Sequence, residues 1–167
     1  MKDYRMAKSL ISHNCFLATI DLQDAYRSIA ICKEHRRFLK FRWQGKLYHC
    51  NCVPFGLSSA PFIFFKFLEP VMATLRVKQF SLVIFLDDIL SIGNTFNSCK
   101  ENVNEKIELL SPLGFRISFK KSSIIRSQSV KYLGFHFDSR TMFIRLPDKK
   151  VVKIKDLCSK VLSDSIV

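Results

Sequence analysis

Two apolar runs far apart in the chain each lead straight into aspartate: residues 15–20 (CFLATI) into Asp21, and residues 80–86 (FSLVIFL) into the pair Asp87-Asp88. Short runs rich in β-branched and aromatic side chains, without helical spacing, read as buried strands. Carboxylates at the ends of such strands repel one another wherever a sheet brings them together in a low dielectric, so the pattern calls for a cation between them. Asp21, Asp87 and Asp88 offer hard oxygen donors with no His or Cys among them, a set suited to Mg²⁺, or to Mn²⁺ in its place, and poor for zinc. Two such ions roughly 4 Å apart form the arrangement that activates a hydroxyl nucleophile and stabilises a leaving pyrophosphate. An Asp-Asp pair after an apolar run is also an ordinary turn or helix cap; the matching strand end at Asp21 favours the metal reading.

The segments around these strands complete an α+β pattern. A short turn or helix follows Asp21 through residues 24–28, and alternating runs at 38–43 and 46–50 flank Gln44-Gly45, a two-residue hairpin signal with glycine available for positive φ. Ser58-Ser59-Ala60-Pro61 supplies hydroxyl caps and a first-turn proline. Phe64, Leu68, Val71 and Leu75 then recur at helical spacing, which predicts a helix to about Arg76. Residues 89–92 return antiparallel to the second strand, making a hairpin with the acidic pair at its tip and no glycine in the turn. A second helix at 98–110 stops near Pro112 and Gly114; strand-like pieces follow at 115–119, 130–138 and 142–146, and Asp148 caps a basic last helix. This order describes a largely antiparallel sheet with helices packed on one face, ferredoxin-like, the second face being free for a substrate.

Charge points to the partner. The net charge is +13, but residues 61–110 hold five basic and six acidic residues, against ten and four in 1–60 and twelve and four in 111–167. An acidic middle with basic flanks suits a metal centre inside a phosphate-binding cleft; a basic surface that merely aids solubility gives the same total. The six cysteines have no secreted spacing and no signal peptide before them, so reduced thiols and an intracellular, soluble chain are expected, with cytoplasm or nucleus left open. Cys50 and Cys52 stand one residue apart and read as strand residues, not zinc ligands. No apolar run is long enough to span a bilayer, so no membrane partner is expected. A Gly-rich phosphate loop and Ser/His/Asp or Cys/His arrangements are missing, and His13, His35, His49 and His136 are scattered.

Five strings in order carry a family resemblance: IDLQDAY from Ile20, VPFGLSSAP from Val53, FLDD from Phe85, LGF from Leu113 with Lys120-Lys121, and YLGF from Tyr132. Together they resemble the palm motifs of reverse transcriptases, and among these the retrotransposon enzymes of the DIRS-type and Gypsy-type groups. The resemblance implies a polymerase palm with partial fingers over residues 1–147 and the start of a thumb or connection helix over 148–167. It implies that Asp21 and Asp87 hold two Mg²⁺ ions, with the Leu22 carbonyl assisting and Asp88 completing the set. Asp24, Ala25 and Tyr26 fall on the nucleotide, Tyr26 as an aromatic gate against the ribose 2′-hydroxyl. Pro54, Phe55 and Gly56 lie under the templating base, Gly56 permitting close backbone approach and Phe55 standing where retroviral enzymes have glutamine. Lys121, or its neighbour Lys120, approaches the departing pyrophosphate. Tyr132, Leu133 and Gly134 correspond to the hairpin that grips the primer end, although plain strand pairing gives the same string.

The partners so implied are an RNA or DNA template with a DNA primer, and dNTPs. Only twenty residues precede Asp21, so the finger strands, a full thumb and an RNase H are expected to belong to a longer parent polyprotein. The alternative is a noncatalytic nucleic-acid-binding remnant of a truncated retroelement copy, holding phosphates with Lys and Arg and stacking bases on some of its sixteen phenylalanines. Such a module has no use for buried aspartates.

Overall fold

The computed structural model describes residues 4–164. Its elements run α1 (Tyr4–Leu10), β1 (Phe16–Gln23), two 3-10 turns (Ala25–Ser28 and Lys33–Phe38), β2 (Lys40–Trp43), β3 (Lys46–His49), α2 (Ala60–Val77), β4 (Ser81–Phe85) and β5 (Asp88–Gly93). Then follow α3 (Phe96–Leu110), β6 (Arg116–Ile117), β7 (Ser123–Ser127), β8 (Ser129–Tyr132), β9 (Phe135–Asp138), β10 (Phe143–Arg145) and α4 (Asp148–Asp164). The main sheet is antiparallel: β4, β5 and β1 lie side by side, and β6 and β7 share the far edge of β1.

Alternation along β1 divides the interior. Ala18, Ile20 and Leu22 point to one face and pack with Leu82, Ile84 and Ile89 of the hairpin against α2 and α3. Leu17 points to the other face, where Val83, Leu90 and Ile92 meet α1 through Ala7 and the small sheet β8–β9–β10 through Val130, Tyr132 and Phe137. α2 buries Ala60, Phe64, Leu68, Met72 and Leu75 along one stripe; Phe64, Leu68 and Leu75 lie on it as their spacing predicts, while Val71 is only half-buried and Met72 takes the inward position beside it. α3 comes close because β5 ends in Gly93: a Cβ there would stand 2.3 Å from the Cys99 nitrogen. Asn102 clasps the hairpin by donating from its amide to the Ser81 and Ile92 carbonyls at 2.8 and 2.9 Å. Beside it Lys106 is wholly buried, its ammonium donating to the Asn102 side-chain oxygen, and burial pushes it down to about 7.

Several sequence expectations need correcting. β1 continues two residues past Asp21, so the acid lies inside the strand and not at its tip. The stretch 115–119 is a strand only at β6, because Lys120 and its neighbours turn the chain towards β7. The stretch 130–138 is a hairpin and not one strand, and α1 and β7 had no counterpart in the reading. Ser59 sits at the N-cap of α2 with helical dihedrals and no side-chain cap, whereas α3 starts two residues earlier than predicted, at a capping box between Thr95 and Ser98. The second face of the sheet is not free along its length: β8–β9–β10 covers it, and only the end carrying the acids is left open. Of the segment 148–167, residues 165–167 lie outside the described residues, as do residues 1–3 of the preceding one.

Candidate active site

Strand register assembles the acids. In the β1–β5 pairing Asp21 stands directly opposite Asp88, and residues so paired project to the same face. That face is the one carrying Leu17, Val83 and Leu90, opposite α2 and α3, at the end where its apolar cover stops. Asp87 occupies the two-residue turn between β4 and β5, and its carbonyl accepts from the Leu22 N–H at 2.9 Å, tying the turn to β1. The turn closes without glycine: Leu86 takes φ 56, a left-handed conformation that costs a bulky residue about 1–3 kcal/mol.

A serine bracket fixes Asp21 from the other side. Its N–H donates to the Ser122 hydroxyl at 3.0 Å, its carbonyl accepts from the Ser118 N–H at 2.9 Å, and the Ser122 hydroxyl donates to the Ser118 carbonyl at 2.8 Å. The Asp21 carboxylate is less well served. Its Oδ1 is buried without a hydrogen-bond partner, and the nearest cation, the Lys121 ammonium, stands 3.9 Å away, beyond hydrogen-bonding range. Burial raises the Asp21 carboxyl above its ordinary value, the Lys121 charge pulls it back, the Asp87 charge raises it again and the Ser118 side chain, hydrogen-bonding to the carboxyl, lowers it slightly. Asp88 is pushed up to about 6, first by burial and then by the charges of Asp87 and Asp21. Burial and neighbouring carboxylate charge thus raise both Asp21 and Asp88 above the ordinary carboxyl range. Among the described residues no group of three or more His, Cys, Asp or Glu side chains is placed as a ready metal-binding set. The acids converge as two cross-strand partners and a turn residue whose charge both of them feel.

The other candidate residues divide. Tyr26 is brought in: its ring meets Phe55 and Phe64 edge-on, each at 5.3 Å between centroids, and its hydroxyl is raised by burial and by the Asp87 charge. Phe55 is 64% exposed, so it offers its free face to solvent on the side away from Tyr26. Pro54 and Phe55 line a cleft of about 310 Å³ with Arg27, Phe41 and His49. Gly56 takes a φ of +89, which favours glycine, and a Cβ there would meet no protein atom within 4 Å. Asp24 is held by Arg27 at 3.5 Å, beside a second cleft of about 320 Å³ that Arg116 also lines. Ala25 and Leu22 are buried in the core, and of the two the Leu22 main chain meets the Asp87 turn. Of the two lysines, Lys121 is the one paired with Asp21. Tyr132 is buried and not exposed at a sheet edge: its hydroxyl donates towards the Val83 and Asp88 carbonyls at 3.3 and 3.4 Å. Leu133 and Gly134, at φ 48 and 75, form the β8–β9 turn. Sequence reasoning missed Ser118, Ser122, Arg27 and Arg116; only the serine-rich string following Ile117 hinted at the bracket.

A family model described as "Reverse transcriptase (RNA-dependent DNA polymerase)" matches residues 2–137. The chain belongs to the reverse transcriptase family. Among curated reverse transcriptase relatives, the Gag-Pol polyprotein of Koala retrovirus is 28% identical over 141 residues, covering 79% of this chain and 8% of the polyprotein. The Transposon Tf2-3 polyprotein of Schizosaccharomyces pombe is 25% identical over 130 residues, covering 78% of this chain and 10% of its own length. The chain therefore spans about a tenth or less of these two relatives. Among solved structures, the foamy viral protease-reverse transcriptase in complex with dsDNA superposes with a TM-score of 0.77 at 20% identity, over 93% of this chain and 31% of that one. The same enzyme in complex with an RNA/DNA hybrid gives 0.72 at 23% identity, over 89% and 20%. These likenesses establish the reverse transcriptase polymerase fold, an α+β architecture with antiparallel sheets. Among the described residues no helix is long and apolar enough to cross a membrane.

Proposed function

We propose that this chain is the palm of an RNA-directed DNA polymerase that adds deoxynucleotides to a primer 3′-hydroxyl on an RNA or DNA template. The observation that carries the reading is the register setting Asp21 opposite Asp88 with Asp87 in the adjoining turn, one Asp21 carboxylate oxygen being buried with no hydrogen-bond partner. Enzymes of this family depend on divalent metal ions, and the donors fit: all are hard oxygens, and two carboxyls are raised by burial and mutual repulsion that a divalent cation relieves. Asp21, Asp87 and Asp88 would hold two Mg²⁺, with the Leu22 carbonyl beside them; when bound, the ions make the attacking hydroxyl more acidic and neutralise phosphate charge.

The chain's own side chains do the rest. Tyr26, wedged edge-on between Phe55 and Phe64, cannot yield to a 2′-hydroxyl and so selects deoxynucleotides. Asp24 and Ala25 border the incoming nucleotide through their main chains, while Pro54, Phe55 and Gly56 floor the templating base. Lys121 offsets charge on the departing pyrophosphate. Leu133 and Gly134 receive the primer end. Residues 1–147 form the palm with partial fingers, and residues 148–167 begin a thumb or connection. Other segments of a parent polyprotein, an RNase H among them, complete the enzyme. A nucleic-acid duplex as partner is supported by the foamy viral structures, which hold dsDNA and an RNA/DNA hybrid.

Primer extension on poly(rA)/oligo(dT) by the polymerase containing this chain, with Asp87→Asn beside it, tests the reading. Mg²⁺-dependent extension is expected to fall by about a hundredfold to a thousandfold in the variant. Equal extension by both proteins overturns the assignment. Tight hybrid binding with no extension, unchanged by chelator, would mark a noncatalytic nucleic-acid-binding module.

A further inference from the structure

We infer that Tyr132 is a positioning residue for the Asp87-Asp88 turn and not a contact of the primer. Its ring is 3% exposed, packed near Phe137 in the layer between the two sheets, and has no surface to offer a nucleic acid. Its hydroxyl reaches the Val83 carbonyl at 3.3 Å, in the middle of β4, and the Asp88 carbonyl at 3.4 Å, where β5 leaves the turn that carries Asp87. One hydrogen is shared between two acceptors, so the hydroxyl acts as a strap across the hairpin and not as a single strong bond.

Two observations say why that turn needs a strap. Leu86 holds φ 56 where glycine would be at ease, so the turn tends to relax into another shape. Asp21 and Asp88 are like charges set directly opposite each other, an arrangement that pushes the ends of β1 and β5 apart. A brace attached to the Asp88 main chain counters both tendencies. Tyr132 also leads directly into the Leu133-Gly134 turn, where the Lys150 amine of α4 donates to the Gly134 carbonyl at 3.2 Å. One rigid side chain therefore joins the hairpin assigned to the primer end to the turn that bears the acids, and fixes their relative setting.

The inference rests on the reading of Asp21, Asp87 and Asp88 as the metal-holding carboxylates. It is tested on the full chain by Mn²⁺ titration calorimetry, by amide hydrogen exchange across residues 84–89 and by thermal unfolding. Removing one hydroxyl in Tyr132→Phe is expected to lower Tm by only about 2–4 °C. The same variant weakens Mn²⁺ binding about tenfold and speeds exchange at the turn, effects that a merely space-filling role would not produce. With Leu86→Gly as background, where the strain is gone, the same substitution costs Mn²⁺ affinity less than about threefold. Unchanged Mn²⁺ affinity and turn exchange in Tyr132→Phe overturn the bracing role alone. Should Tyr132→Phe prove much less stable than expected, additive effects in the cycle with Leu86→Gly overturn it as well. A native chain whose Mn²⁺ binding is absent or indifferent to Asp87→Asn sinks the metal reading, and this role with it.

Discussion

At Asp88 the cost of gathering acids is visible in a single residue. Its carboxyl is pushed up to about 6, by burial first and then by Asp87 and Asp21. The folded value lies above the unfolded one of about 3.9, so ionisation opposes folding. The stability tied to this group is complete below about pH 4 and is lost as pH rises through about 6. Asp21, raised by burial, acts in the same direction. Asp88→Asn is therefore expected to raise the Tm of the metal-free protein at pH 7.5 and to give no such gain at pH 4, as read by scanning calorimetry. Saturating Mg²⁺ should narrow the gap, because it stabilises the native carboxylates; a variant no more stable than the native chain at pH 7.5 contradicts the picture. The acids themselves were legible in the sequence, since an aspartate closing an apolar run is a local pattern. Which of Lys120 and Lys121 faces Asp21, and that Tyr132 points inward, were not, because both depend on how distant strands meet.

The junction of β5 with α3 is set by the glycine between them. A methyl group at Gly93 would overlap the backbone and Cβ of Cys99 within 2.7 Å, and neither can give way without moving the helix. Gly93→Ala is expected to destabilise the chain by about 3 kcal/mol, seen as a lower urea midpoint with an unchanged slope; a loss under about 0.5 kcal/mol would show the helix free to shift. Elements with a strong period of their own, such as α2 with its stripe from Ala60 to Leu75, could be read locally. α1 has seven residues, too few to declare themselves without the core they pack on. β7, SIIRS, is a strand because β1 has an edge to fill, and only the folded chain supplies that edge.

Across the whole chain, 27 basic residues stand against 14 acidic ones. If basic side chains meet six or more phosphates, affinity for an RNA/DNA hybrid should fall about a thousandfold or more between 50 and 200 mM salt in fluorescence anisotropy titrations. A nearly flat dependence would mean that the charge serves solubility alone. The fold class followed from the order of elements, but the extent of the open face did not. Nothing local in residues 129–145 says that they fold back as a small sheet over the larger one, leaving only its acidic end uncovered. That small sheet gives the central strand β1 an apolar neighbour on both sides, with alternate residues committed to each. Inserting or deleting one codon between Phe16 and Asp21 would swap those commitments, swinging the acid under the helices and an aliphatic group into its place.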